Sequence, residues 1–194
     1  MTLSRDGAAQ VDDAFDGLVL SLRRFQAALA ASRPPIALAA EISDRLEADA
    51  ATLLAFSVAE HERPFGNLFD RTGRAQAMSP PFKYESFSRD SATGTVTFSD
   101  FYLGGNGAVH GGAVPLIFDE ILGLLANTDR PRSRTAYLHV DYRQITPVNR
   151  PLRIDAWVDR EEGRKLYLKG VLRDDQQLLA EAEGLFVTLR PGQP

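Results

Sequence analysis

The sequence predicts an α+β fold: an antiparallel sheet wrapped around one long central helix, with an N-terminal helical extension ahead of it. Three observations predict it. Apolar residues recur at spacings of three and four through residues 11–60, and the period falls from 3.6 to 2 near residue 93. A single apolar helix is then followed by four strand-like runs with no further helix.

In chain order, Val11, Phe15, Leu18, Leu22, Phe25 and Leu29 mark an amphipathic helix over 11–30, which Arg33-Pro34-Pro35 stops. A second helix is expected over about 37–60, with Leu38, Ile42, Leu46, Ala50, Leu53 and Phe56 on one side and His61-Glu62-Arg63-Pro64 at its end. His61 then sits at a helix C-terminus, where positive charge is favourable. Residues 63–83 read as irregular, with Pro64, Gly66, Gly73, Pro80 and Pro81. In TGTVTFSDFYL (93–103), Val96 and Phe98 alternate with Thr95, Thr97 and Ser99, the pattern of a half-buried strand.

A glycine-rich loop follows, then a helix over about 111–127 that is apolar nearly all round and is therefore expected to be buried. Strand-like runs occupy 135–145, 152–160, 164–173 and 177–189. Thr146-Pro147-Val148-Asn149, Glu161-Glu162-Gly163 and Asp174-Asp175-Gln176 fill the gaps with turn chemistry, which predicts hairpins and an antiparallel meander. The boundaries that follow are 1–62 for a helical extension, 63–80 for a linker and 81–190 for the sheet-and-helix domain.

Composition narrows the function. Apolar residues make up 44% and charged residues 25%, an ordinary globular balance. A formal charge of −4 argues against nucleic acid as a partner. The absence of cysteine excludes disulfides, thiolate nucleophiles and cysteine metal sites, and it is compatible with a cytoplasmic location. No stretch reaches the ~18 apolar residues of a membrane span, and residues 1–30 lack a basic start with an unbroken apolar core. Three scattered histidines offer no metal-ligand spacing, and no cofactor is implied.

The chemistry concentrates in GGNGAVHGGAVPLIFDE (104–120). A helix start offers unpaired N–H groups and a partial positive charge, and glycines there let a substrate approach the backbone. Pro115 in the first turn is consistent with that start. Asp119 is expected in the oily face of the helix. A buried carboxylate costs several kcal/mol unless paired, so a bare core position for it is disfavoured.

GAVHGGAVPLIFD followed by TAYLHVDYRQITP resembles the hotdog-fold acyl-CoA thioesterases of the phenylacetate-pathway type, over about residues 80–190. The resemblance implies hydrolysis of an acyl-CoA or acyl-carrier thioester. By that resemblance Asp119 is the nucleophile or general base, and the Thr135 hydroxyl helps hold the attacking water. The N–H groups of Gly111 and Gly112, after His110, take the thioester oxygen. Many relatives carry an amide six residues before the histidine. Here that position is Gly104, and Asn106, with Gly105 beside it, is the nearest amide for a substrate contact.

Alternatives stand beside these readings. Asp119 competes with a buried acid satisfied by backbone groups, and Glu120 is a neighbour or a reserve base. Arg130, Arg132 and Arg134 are either a solvated loop or a cradle for the phosphates of coenzyme A. His139 reads as structural or exposed. A non-catalytic acyl-CoA-binding protein on the same fold is the competing function, and the acid–hydroxyl pair favours the enzyme. His110 and Asp119 lie ~13 Å apart along a helix axis, too far for one carbonyl to touch both. A homodimer with composite sites is therefore expected, as in the related thioesterases, with a dimer of dimers as the larger alternative.

Overall fold

The computed structural model describes residues 5–193, with side chains from Asp12 onward; residues 1–4, Pro194 and the side chain of Val11 lie outside the described residues. The chain divides into two compact units, Met1–Gln76 and Ala77–Pro194. The first holds α1 (Arg5–Ala30) and α2 (Ile36–Leu54). Among the described residues of α1 the buried apolar residue is Val19, with Phe15 and Phe25 half-buried, whereas Leu18 is 50% and Leu22 39% exposed. The inward stripe thus keeps Phe15 and Phe25 of the expected one but takes Val19 in place of Leu18. Arg23 lies on the same stripe and donates to the Gln76 carbonyl.

The second helix ends earlier than its periodicity predicts. Ser57 Oγ donates to the Leu54 carbonyl at 2.8 Å and closes the last turn. Side-chain competition of this kind favours helix ends. His61 falls in a separate 3-10 turn, Glu60–Glu62, rather than at a helix C-terminus. No residue of α2 is buried, and Leu38, Leu46 and Leu53 are all exposed.

The second unit carries a six-stranded antiparallel sheet. Its strands are β1 (Phe82–Phe87), β2 (Ser91–Thr97), β5 (Ser133–Tyr142), β6 (Pro151–Glu162), β7 (Lys165–Asp174) and β8 (Gln177–Thr188), in the spatial order β1-β2-β6-β7-β8-β5. Between β2 and β5 come the short β3 (Leu103–Gly105) and β4 (Ala108–Val109), a separate hairpin, and the helix α3 (Ala113–Asn127). The helix lies on one face of the sheet. Ile117, Phe118, Ile121, Leu122 and Leu125 pack with Val96, Leu152, Ile154, Leu168, Leu172 and Phe186 in one core. Each such side chain contributes about 1.5–3 kcal/mol by leaving water. A Cβ on Gly170 would stand 3.0 Å from the Phe118 ring, so this bare position lets the helix bed closely onto β7. The arrangement is the hotdog fold.

Three expectations are corrected. The first strand stops at Thr97, because Asp100–Tyr102 turns before β3 begins. The stretch read as irregular over 63–83 ends at Pro81, because β1 begins at Phe82; a register shift between Tyr84 and Ser86 breaks that strand's alternation. The four later strands are not a simple meander, because β5 pairs with β8 and not with β6. The connection 143–150 is a crossover and not a hairpin. Its backbone is used elsewhere: Thr146 O accepts from Val109 N–H at 2.8 Å, and Val148 N–H donates to Gly107 O at 3.1 Å.

Candidate active site

The glycine-rich segment resolves into two devices. Asn106 and Gly107, with φ of 50° and 75°, form the tip of the β3–β4 hairpin, as an Asn-Gly pair does in a type I′ turn. Gly105 stands beside them with φ of 146°, and all three are exposed. Gly104 passes directly behind the histidine. A Cβ there would lie 2.8 Å from the His110 Cα and 3.1 Å from its nitrogen, so no side chain fits. The amide that many relatives place at this position is excluded by backbone contact.

The second device is the turn His110-Gly111-Gly112 that starts α3. Ala113 N–H donates to His110 O at 2.8 Å, and Leu116 N–H to Gly112 O at 3.3 Å. Gly112 N–H donates to His110 Nδ1 at 3.0 Å. Accepting at Nδ1 places the proton of the neutral ring on Nε2. Gly112, expected as a donor to substrate, thus already has an acceptor. Among the described residues no acceptor takes the Gly111 N–H. Gly111 lines an open cleft of about 460 Å³ with Val114, Tyr142, Ile145 and Thr146.

Asp119 lies two turns further along α3 and is exposed, contrary to the expected burial. The reason is architectural. The sheet covers only the side of α3 that carries Ile117, Ile121 and Leu125, and leaves Leu116, Gly123 and Leu124 only partly covered. Thr135 Oγ1 donates to Asp119 Oδ1 at 3.0 Å. A bulge makes this contact. Thr135 pairs with the buried Phe186 and Tyr137 with Leu185, so Ala136 is an extra residue in β5. Residues paired across strands share a face, and the bulge therefore turns Thr135 to the helix side while Leu138 and Val140 keep theirs. Glu120 is half-buried beside Asp119.

The three arginines part company. The Arg130 side chain is 7% exposed and bonds Asp90 at 2.5 Å, with Glu161 at 3.7 Å, so it ties α3's C-terminal loop to the sheet. Arg132 and Arg134 are exposed, and among the described residues neither has an ion-pair partner. The His139 side chain is 70% exposed, 3.3 Å from Asp141. Among the described residues no group of three or more His, Asp or Glu side chains could hold a metal ion. Tyr142 was not singled out by sequence as a site residue. Its hydroxyl donates to the Gly111 carbonyl at 2.5 Å, and no local signal reports a contact between a side chain and a backbone 31 residues away.

A curved sheet around one helix, with a glycine turn at the helix start, defines the hotdog class of proteins. The thioesterase superfamily profile matches residues 106–181. A crystal structure of a thioesterase superfamily protein superposes with a TM-score of 0.76 at 30% identity, covering 89% of this chain and 90% of that one. Acyl-coenzyme A thioesterase THEM4 of Bos taurus is 31% identical over 115 residues, 57% of this chain and 47% of its own length. A Streptococcus mutans protein crystallised with acetyl-CoA shares the fold, with a TM-score of 0.53 at 20% identity over 56% of this chain and 88% of that one. The chain belongs to the thioesterase superfamily. It spans about half the length of the THEM4 relative. Among the described residues, no helix is long and apolar enough to cross a membrane.

Proposed function

We propose that this protein hydrolyses an acyl-CoA, or acyl-carrier, thioester to a free acid and a thiol. The observation that carries the reading is the 3.0 Å hydrogen bond between Thr135 and Asp119, an acid–hydroxyl pair on an exposed helix face. In the proposed reaction Asp119 takes a proton from a water held beside Thr135, and that water's oxygen bonds to the thioester carbon. The developing oxyanion receives the Gly111 N–H. The C–S bond then breaks, and the proton on Asp119 passes to the leaving thiolate, which restores the carboxylate. Attack by Asp119 itself, through an acyl–aspartyl anhydride that water then opens, uses the same groups.

Eight residues separate Gly111 from Asp119, roughly 12 Å along the helix axis, so one carbonyl cannot meet both from one chain. The strand β5 carries Thr135 and is the last of the six in the sheet, with one edge unpaired among the described residues. Such a row of open N–H and C=O groups suits pairing with a second β5. The reading is therefore a homodimer in which Gly111 of one copy faces Asp119 of the other, with a dimer of dimers as the larger form. Arg132 and Arg134 are read as contacts for the phosphates of coenzyme A, and the hairpin tip at Gly105 and Asn106 as a substrate rim.

The test is release of free thiol from a panel of acyl-CoA and aryl-CoA esters and an acyl-carrier thioester. Asp119→Asn keeps the shape of the side chain and removes the base, so turnover should fall by ~10³ or more with substrate binding retained. Absence of turnover on the whole panel, or full turnover by Asp119→Asn, would overturn the reading.

A further inference from the structure

Every carbonyl of the His110–Gly112 turn is committed, and by different means. Those of His110 and Gly112 accept from Ala113 and Leu116, bonds that a helix start makes for itself. The Gly111 carbonyl lies outside that ladder. It is held by the Tyr142 hydroxyl at 2.5 Å, delivered from the end of β5. On the donor side, His110 N–H goes to Tyr102 O at 2.7 Å and Gly112 N–H to His110 Nδ1 at 3.0 Å. The one backbone donor of the turn without an acceptor among the described residues is the Gly111 N–H, and Gly111 and Tyr142 line the same cleft.

We propose that Tyr142 is a positioning residue: by clamping the Gly111 carbonyl it fixes the rotation of a glycine that otherwise turns freely, and so aims the Gly111 N–H at the developing oxyanion. The inference rests on the reading of Gly111 as the oxyanion donor. Two adjacent glycines are the least restrained backbone a chain can offer, and an oxyanion donor is effective only when it is already oriented. Local helix bonds restrain the residues after Gly111 but not Gly111 itself. A Cβ on Gly111 would stand 3.9 Å from the Tyr142 oxygen, ordinary contact, so the tyrosine acts through its hydrogen bond and not by crowding. Tyr142 is 52% exposed, and its hydroxyl would be hydrated if it made no protein contact. A tyrosine hydroxyl is a donor at neutral pH in any case, and burial of part of the ring pushes its ionisation further up.

The experiment compares wild type with Tyr142→Phe on the acyl-CoA that the thiol-release panel selects. The expected result is a fall in kcat of about 10-fold with KM changed less than about 2-fold, because the orientation matters most to the transition state. The melting temperature should move by less than about 3 °C. A second readout is the infrared stretch of that acyl-CoA, ¹³C-labelled at its carbonyl and bound to Asp119→Asn, which prevents turnover. The stretch should lie below that of the free ester, and Asp119→Asn with Tyr142→Phe should lose at least half of the displacement. An undiminished displacement in the double variant, or an unchanged kcat in Tyr142→Phe, overturns the role of Tyr142 and leaves Gly111 as the donor. A raised KM and a lowered melting temperature with the displacement intact mark a merely structural tyrosine and likewise overturn it. No displacement in Asp119→Asn alone removes Gly111 as the donor, and the inference with it.

Discussion

Thr135 gives its hydroxyl hydrogen to Oδ1 of Asp119 at 3.0 Å, and it faces the helix because Ala136 is left out of the pairing between β5 and β8. The direction matters. A hydroxyl that donates to a carboxylate keeps its own lone pairs open toward solvent, where a water can donate to it. Thr135→Ala should therefore lower kcat by about 10-fold to 100-fold, less than the loss of the base itself. Thr135→Ser should be mild. Equal impairment of both variants in the thiol-release assay would mean that the methyl packing matters and the hydroxyl does not.

Deleting Ala136 tests the bulge separately. Without the extra residue Thr135 adjoins Tyr137 and, in regular alternation, still stands opposite Phe186 on the helix side. Turnover should then fall by less than in Thr135→Ala. A fall as large as in Thr135→Ala would show that the local twist of the bulge, and not only the face it selects, aims the hydroxyl at Asp119.

The arginines divide by their surroundings. Arg132→Ala with Arg134→Ala should raise KM for acyl-CoA by several-fold and flatten its dependence on ionic strength, while a truncated acyl thioester without the nucleotide is hydrolysed as before. Arg130→Ala should act on stability, since it leaves Asp90 and Glu161 without the cation that joins them. Urea unfolding and salt-dependent kinetics on the two variants should give opposite pictures. A loss of KM alone in Arg130→Ala contradicts the division.

Gly104→Ala and Gly104→Asn should each destabilise the fold by about 1–3 kcal/mol, the usual range for forcing atoms into a filled site. The contact is with the His110 backbone at 2.8 Å, which cannot rotate aside. Restoring the amide that relatives carry should thus lower activity. A stable and more active Gly104→Asn would show that the hairpin yields.

Composite sites can be tested by complementation. A helix-start variant (His110→Ala with Gly111→Pro) and Asp119→Asn, refolded together, form about half mixed dimers, each with one intact site, so roughly a quarter of wild-type activity should return. A mixture that stays inactive although mixed dimers form places the whole site in one chain.

Much of the architecture was legible because its periodicities are clean. Leu152, Ile154, Leu166, Leu168 and Leu172 alternate inward along β6 and β7, and α3 presents its apolar residues at helical spacing. The acid and the hydroxyl were legible as residues but not as surroundings. Exposure of Asp119 depends on where the sheet ends, which local spacing does not encode. The crossover at 143–150 was hidden for a related reason. Pro147 and Asn149 are turn residues in either connection, and the partner of β5 is chosen by β8, far along the chain. Tyr142 is a tyrosine at a strand end by any local measure, and only the folded chain brings its hydroxyl to Gly111.

The place of β8 between β7 and β5 also shapes how the chain is made. Synthesis runs from the N-terminus, so β5 leaves the ribosome before either of its edges has a partner, and β8 follows as the last strand. At ordinary translation rates that interval lasts on the order of seconds, long enough for a bare strand to meet a neighbouring nascent chain. A chain clipped within the twelve residues of β8 would add two open edges to those of the finished sheet, one on β7 and one on β5. The C-terminal strand is thus the step that withdraws the unfinished sheet from aggregation, and a chaperone that guards this protein would have to hold it until Thr188 has emerged.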